Sequence, residues 1–242
     1  MEKSEYDNIF QKEDNYWWYK ALHELVLYFV KAYSRSSVRI LDAGCGTGRL
    51  MQLMSDYGTV EGMDISDEAV RLARSRGLPN VQQKDLHEWD PSPESFDIIT
   101  SMDVLYTLED DELVLNKFYI ALKKRGLLLL NVAAFNFLRR AHDNIVHTKR
   151  RYTAKSIRSK LEKSGFAVQR VTYRLPFLFL ALCLIKAYET LFKPKNISSD
   201  LKPLSPWINR ILLGVNRLEN TLIKKGFNLP IGSSIFVIAQ KK

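Results

Sequence analysis

Three acidic residues, Asp42, Asp64 and Asp85, each close a short apolar or alternating run of the chain. The first runs directly into Ala43-Gly44-Cys45-Gly46-Thr47-Gly48. Glycines there allow positive φ and close approach of backbone to a ligand. The N-terminus of the helix that follows carries partial positive charge, which favours a carboxylate or phosphate. A phosphate-cradling P-loop needs Lys-Ser/Thr after its last glycine, and Arg49-Leu50 stands here instead. A dinucleotide G-x-G-x-x-G needs a third glycine at position 49 or 51, which Arg49 and Met51 occupy. What remains is a nucleoside site that does not press the helix against a pyrophosphate. Asp64, 20 residues beyond Gly44, can accept both ribose hydroxyls. Lys84-Asp85-Leu86 is placed to meet an adenine. Any one of the three acids alone reads as a helix N-cap. All three in register with the glycine turn converge on one crevice.

A second group of residues could move a proton. The polar stretch over 134–152 holds His142, Asp143, His147 and Tyr152. Loops after strand ends carry chemistry in such architectures. His142 beside Asp143 is a candidate general base, with Tyr106 a further catalytic candidate. Lys149-Arg150-Arg151 with Tyr152 is a candidate phosphate contact, set against a solvated charge run. His23 and His87 read as structural. No metal site is expected, since neither Cys45 nor Cys183 has a ligand-spaced partner.

These residues need a scaffold, and the hydrophobic periods describe one. Residues 16–33 carry Leu22, Leu25, Val26, Phe29 and Val30 at helical spacing. Strands are predicted at 38–41, 59–64, 81–84 and 96–102, from Gly126, and at 166–173, with helices at about 49–57, 67–76, 109–124 and 153–164. Alternating strands and helices make a parallel α/β sheet. Residues 174–230 break the alternation with two helices, ahead of a last strand at 233–240. The expected division is an N-terminal helical lid (1–36), a nucleoside-binding core (37–173), a helical apolar and basic insert (174–230) and the last core strand (231–242).

Composition excludes several classes. The 242 residues are 46% hydrophobic and 26% charged, ordinary for a globular protein and incompatible with disorder. Two cysteines exclude a disulfide scaffold. The acidic opening MEKSEYDNIF reads against a secretory signal, and no stretch reaches the length of a spanning helix. A cytoplasmic protein is expected. Residues 1–138 hold 15 Lys and Arg against 22 Asp and Glu, a net of −7; residues 139–242 hold 21 against 5, a net of +16. Such a basic half attracts anions. Phe177–Ile185 is an apolar run with Arg174, Lys186, Lys193, Lys195 and Lys202 around it. That pattern suits a helix on an anionic membrane surface, with Phe177, Leu178, Phe179, Leu182 and Ile185 entering it. A buried lid helix and a dimer contact are the alternatives.

ILDAGCGTG, GMDIS, QQKDL and FDIITSMDVLYTL together resemble the successive cofactor motifs of class I S-adenosylmethionine-dependent methyltransferases, over residues 38–132. YWWYK, AAFNFLRRAHDNIVHTKRRYT and LPIGSSIFVIAQKK resemble a bacterial subgroup associated with cell-envelope glycosyltransferases. The first resemblance implies a Rossmann-like α/β fold, a seven-stranded mixed sheet whose last strand is antiparallel. It also implies S-adenosylmethionine as cofactor. Gly44 and Gly46 would then meet the methionine moiety, with Cys45 in the same turn. Asp42 would organise the loop and the amino group. Asp64, with Ile65 after it, would hold the ribose. Asp85 would take the adenine amino group beside Leu86, and Ser101 to Asp103 would border the sulfonium and the acceptor. Trp17, Trp18 and Tyr19 could close over the cofactor. Where many relatives carry a histidine, Thr107 stands, so that base is absent. The expected activity is O-methylation of a lipid-linked or envelope saccharide at the inner membrane face, with a soluble small-molecule methyltransferase as the alternative. A nucleic-acid substrate is disfavoured, because Ser101-Met102-Asp103-Val104 replaces an Asn/Asp-Pro-Pro-aromatic motif. The oligomeric state stays open.

Overall fold

The computed structural model describes residues 3–34, 38–140, 142–192 and 204–242. Seven strands form one sheet: β1 (Val38–Ala43), β2 (Gly58–Asp64), β3 (Val81–Gln83), β4 (Phe96–Met102), β5 (Leu122–Ala133), β6 (Phe166–Arg174) and β7 (Ser234–Lys241). Their order is β3-β2-β1-β4-β5-β7-β6. β1 to β5 pair in parallel, and β7 runs antiparallel between β5 and β6. This is the expected Rossmann-like sheet. The order reverses between β1 and β4, and a crevice opens at their carboxyl ends.

Helices cover both faces: α1 (Lys3–Lys12), α2 (Trp17–Tyr33), α3 (Arg49–Met54), α4 (Asp67–Ser75), α5 (Asp111–Ala121), α6 (His142–Ile145), α7 (Ala154–Lys163), α8 (Pro176–Phe192) and α9 (Pro206–Lys224). The two-residue period of the strands divides the core. Ile40, Ile98, Leu127 and Leu129 face α2 and α3 through Leu22, Leu25, Val26, Met51 and Met54. Their neighbours Leu41, Ile99, Leu128 and Leu130 join Val114, Phe118, Ile157 and Leu161 of α5 and α7. Side chains alternate across a pleat, so each strand feeds both clusters.

Local chemistry fixes the helix starts. Ser66 and Asp110 accept from the backbone three residues on, and Thr153 forms a reciprocal cap with Ser156. α2 has no cap of its own. The Trp17 backbone N–H donates to the Asn209 side chain of α9 at 2.9 Å, so a helix from the far end of the chain completes it. Asn220 Nδ2 to the Ala21 carbonyl (2.7 Å) and Arg217 to Glu24 (2.5 Å) continue that seam.

The helices expected at 49–57 and 109–124 are shorter, ending at Met54 and Ala121, a short α6 stands in the expected polar loop, and two further differences have a clear physical reason. α1 was not expected; Tyr6 and Phe10 on one of its faces pack on Ala69 and Leu72 of α4. β5 begins at Leu122, before the predicted Gly126, because the charged Lys123-Lys124-Arg125 belongs to its outer end.

Candidate functional site

The glycine turn hangs from the end of β2: the Gly44 and Cys45 N–H groups both donate to the Met63 carbonyl (2.8 and 3.0 Å). Gly44 has φ +81°, and a Cβ there would lie 2.2 Å from Val104 Cγ2. Gly46 also has positive φ (+52°), yet nothing lies within 4 Å of where its Cβ would be. The backbone is thus bare on the side where a ligand can approach.

Asp42, Asp64 and Asp85 line one cleft of about 880 Å³ with Gly44, Gly46 and Ile65. Cys45 and Leu86 also border it. Asp64 accepts from the Gly46 N–H (2.9 Å) and the Ser66 N–H (3.0 Å), and the Tyr6 hydroxyl donates to it at 3.5 Å. Burial raises its pKa while those backbone donors oppose the rise. Asp42 accepts from the Thr100 hydroxyl (2.7 Å), and burial pushes it up to about 7. Asp85 accepts from the His87 backbone N–H (2.8 Å) and sits 3.0 Å from His87 Nδ1. His87 Nε2 in turn accepts from the Asp110 N–H (3.2 Å), which places its proton on Nδ1 toward Asp85.

The residues after α1 tie the turn down from outside. Glu13 accepts from the Thr47 hydroxyl and pairs with Arg76 at 2.7 Å; Asp14 pairs with Arg49 at 2.5 Å. Trp17, Trp18 and Tyr19 follow and line the cleft.

Beyond the turn the cleft continues between Tyr19, Asp103, Tyr106, His147, Arg140 and Arg151, roofed by Leu178, Leu182 and Ile185 of α8. Ser101, expected at this border, is turned away: it is buried and donates to the Ala43 carbonyl at 2.9 Å. Met102 at the strand's last position and Asp103 in the left-handed turn after it border the cleft in its place. Asp143 is no free acid. Arg151 holds both its oxygens (2.8 and 3.0 Å), the Arg140 N–H donates to it at 2.8 Å, and its pKa lies below the usual carboxylate range because these donors outweigh burial. It anchors the 139–151 loop. The side chain of His142 lies outside the described residues. Burial lifts the Tyr106 hydroxyl well above its ordinary pKa, which leaves it a donor and no base. The Lys149-Arg150-Arg151 run is already paired, Lys149 with Glu109, Arg150 with Asp111 (2.8 Å) and Arg151 with Asp143, so it is not a ready phosphate cradle.

Asp103 is more than a border residue. It adopts φ +61° at the end of β4. Both its oxygens accept from Asn131 Nδ2 at 3.0 Å, and its N–H donates to the Asn131 carbonyl at 2.9 Å. Asn131 Oδ1 accepts from the fully buried Arg174 (3.3 Å), and Arg174 Nε lies 3.8 Å from Glu219 of α9. Removal from water pushes Asp103 up to about 7. The sequence signal was Asn131, a lone polar residue inside the apolar run LLLLNVA.

A family model described as a methyltransferase domain matches residues 11–171. The chain is similar to the ubiquinone biosynthesis O-methyltransferases of Idiomarina loihiensis (27% identity, 48% of this chain and 54% of that protein). It is likewise similar to that of Xanthomonas campestris pv. campestris strain B100 (30%, 48% and 56%). The chain spans about half the length of the curated relatives it matches. Among solved structures it resembles an S-adenosylmethionine-dependent methyltransferase of Mesorhizobium loti (TM-score 0.59, 18% identity, 90% of this chain and 98% of that one). It also resembles phosphoethanolamine N-methyltransferase 2 of Haemonchus contortus in complex with S-adenosyl-L-methionine (TM-score 0.56, 22%, 89% and 51%). These two likenesses describe the fold.

Proposed function

The chain belongs to the methyltransferase-domain family, and on that premise we propose that it transfers a methyl group from S-adenosylmethionine to the hydroxyl of a small acceptor with an apolar body. The observation that carries this reading is the single cleft that runs from the open Gly46 turn and the three acids to Asp103 under an apolar roof. The residues fit the cofactor: bare backbone for its amino-acid end, Asp64 for the ribose, and Ile65 and Leu86 flanking Asp85 for the base. The cofactor supplies a methyl group already activated on a sulfonium.

The chain's own residues then do three things. The glycine turn and Asp64 fix the donor, and Tyr19, Tyr106 and α8 exclude water and align the acceptor, which recovers much of the barrier. Asp103 takes the acceptor proton as its oxygen attacks. A carboxylate with a pKa of about 7 matches a phenol, whose pKa is about 10, much better than a sugar alcohol. This favours a phenolic small molecule over the lipid-linked saccharide, as does the likeness to O-methyltransferases of ubiquinone biosynthesis. The test is incorporation of isotopically labelled methyl from S-adenosylmethionine into a panel of alkylated phenols and catechols and of polyprenyl-linked sugars, read by mass spectrometry. Labelled phenols are expected. Label in the sugars alone would overturn the acceptor assignment.

A further inference from the structure

The Phe177–Ile185 stretch of α8 is apolar throughout, so apolar side chains stand all around those turns, and only one side of them serves the cleft. Leu178 and Leu182 roof the cavity, and Phe179 is buried against Phe135 and Phe137. The expectation that Leu178, Phe179 and Leu182 enter a membrane is therefore corrected, while Phe177 stays exposed; of the expected flanking cations Arg174 is fully buried, and Lys193, Lys195 and Lys202 lie outside the described residues. The other side of α8 presents Phe177, Leu180, Leu184 and Leu191, 60–76% exposed. α9 repeats the arrangement. Leu213, Asn220 and Ile223 face inward, while Trp207, Ile211 and Leu218 form an outer stripe, 55–71% exposed. The two helices belong to one body, joined by Leu178 and Leu212 around Leu213 and Trp17. Exposed large apolar side chains in two such stripes mark a binding surface.

We propose that the outer faces of α8 and α9 dock this protein on an anionic lipid bilayer. Charge selects this occupant over a second copy of the chain. Over the described residues 175–192 and 204–225, Lys186, Arg210, Arg217, Lys224 and Lys225 stand against Glu189 and the buried Glu219, a net of +3. That charge repels its own copy and is drawn to anionic headgroups. A helix pair with apolar outer stripes amid basic residues lies in the interfacial plane, and among the described residues no helix is long and apolar enough to cross the membrane. The bilayer would then lie one helix away from the acceptor end of the cleft. Docking is independent of the reaction assigned above and stands or falls without it.

The experiment is co-sedimentation of the full chain with phosphatidylcholine vesicles, with and without phosphatidylglycerol, at low and high salt. Partitioning is expected to be at least about tenfold stronger on the phosphatidylglycerol vesicles at low salt and to weaken as salt rises. Leu180→Ser with Leu184→Ser is expected to lower it at least about tenfold while circular dichroism stays native. Should that pair fail to fold, Trp207→Ser on α9 reads the same surface from the other helix. No pelleting, equal pelleting on neutral vesicles, or folded variants that bind as well as the parent would each overturn the proposal. So would sedimentation velocity showing a dimer that the same substitutions dissociate without altering vesicle binding.

Discussion

At the scale of single residues, the proton-handling group is the sharpest departure from what the chain alone suggested. Asp143 satisfies its charge within its own loop, whereas Asp103 is held by the neutral Asn131 amide and Tyr106 hydroxyl and faces the cleft. A base must be deprotonated to act. Because removal from water raises Asp103 to about 7, kcat/KM toward a phenolic acceptor should climb as pH rises through about 7 and level off above it. Asp103→Asn keeps the size of the side chain and loses the proton acceptor. It should lower turnover by about 10²–10⁴-fold and flatten that pH dependence, with cofactor affinity unchanged. A variant that keeps the parent's pH profile would remove Asp103 from the chemistry. None of this was legible from spacing. Asp103 follows β4, and Asn131, Arg174 and Glu219 lie on β5, β6 and α9. Only the sheet order, which carries Arg174 across β7 toward Asn131, brings them together.

At the scale of elements, the strand, glycine turn and helix over 38–54 were readable because three rules agree there: a buried strand's apolar run, glycine where φ is positive, and helical spacing after it. α1 was not readable, since KSEYDNIFQK offers Tyr6 and Phe10 as its main apolar contacts and owes its place to α4. The glycine turn yields a paired prediction. Gly44→Ala meets Val104 and a left-handed φ together, and should cost about 2–4 kcal/mol of stability. Gly46→Ala meets open space. It should cost only about 1–2 kcal/mol for its φ, yet weaken cofactor binding at least about tenfold, because the new methyl stands where the ligand sits. Thermal melts with cofactor titrations of both variants separate the two. Equal losses of affinity with no difference in stability would contradict the assignment of these faces.

At the scale of the whole molecule, the abrupt change of charge at Arg139 turns out to be partly internal complementarity. Arg150 and Lys160 of the basic half meet Asp111 of the acidic half at 2.8 and 3.0 Å, and Arg217 meets Glu24 at 2.5 Å. The two halves of the chain are therefore one folding unit around a shared sheet, with β7 returning from the far end to pair with β5. Everything assigned to the cleft depends on its holding the nucleoside of S-adenosylmethionine or its demethylated product. Isothermal titration with S-adenosylhomocysteine tests this most directly, on the parent and on Asp64→Asn. The Asp64 carboxylate accepts from the Gly46 N–H and stands where two ribose hydroxyls would donate. One-to-one binding should appear in the parent and fall at least about tenfold, roughly 1.4 kcal/mol, in a variant that melts as the parent does. A parent that binds nothing, or a folded variant that binds as tightly as the parent, would contradict it.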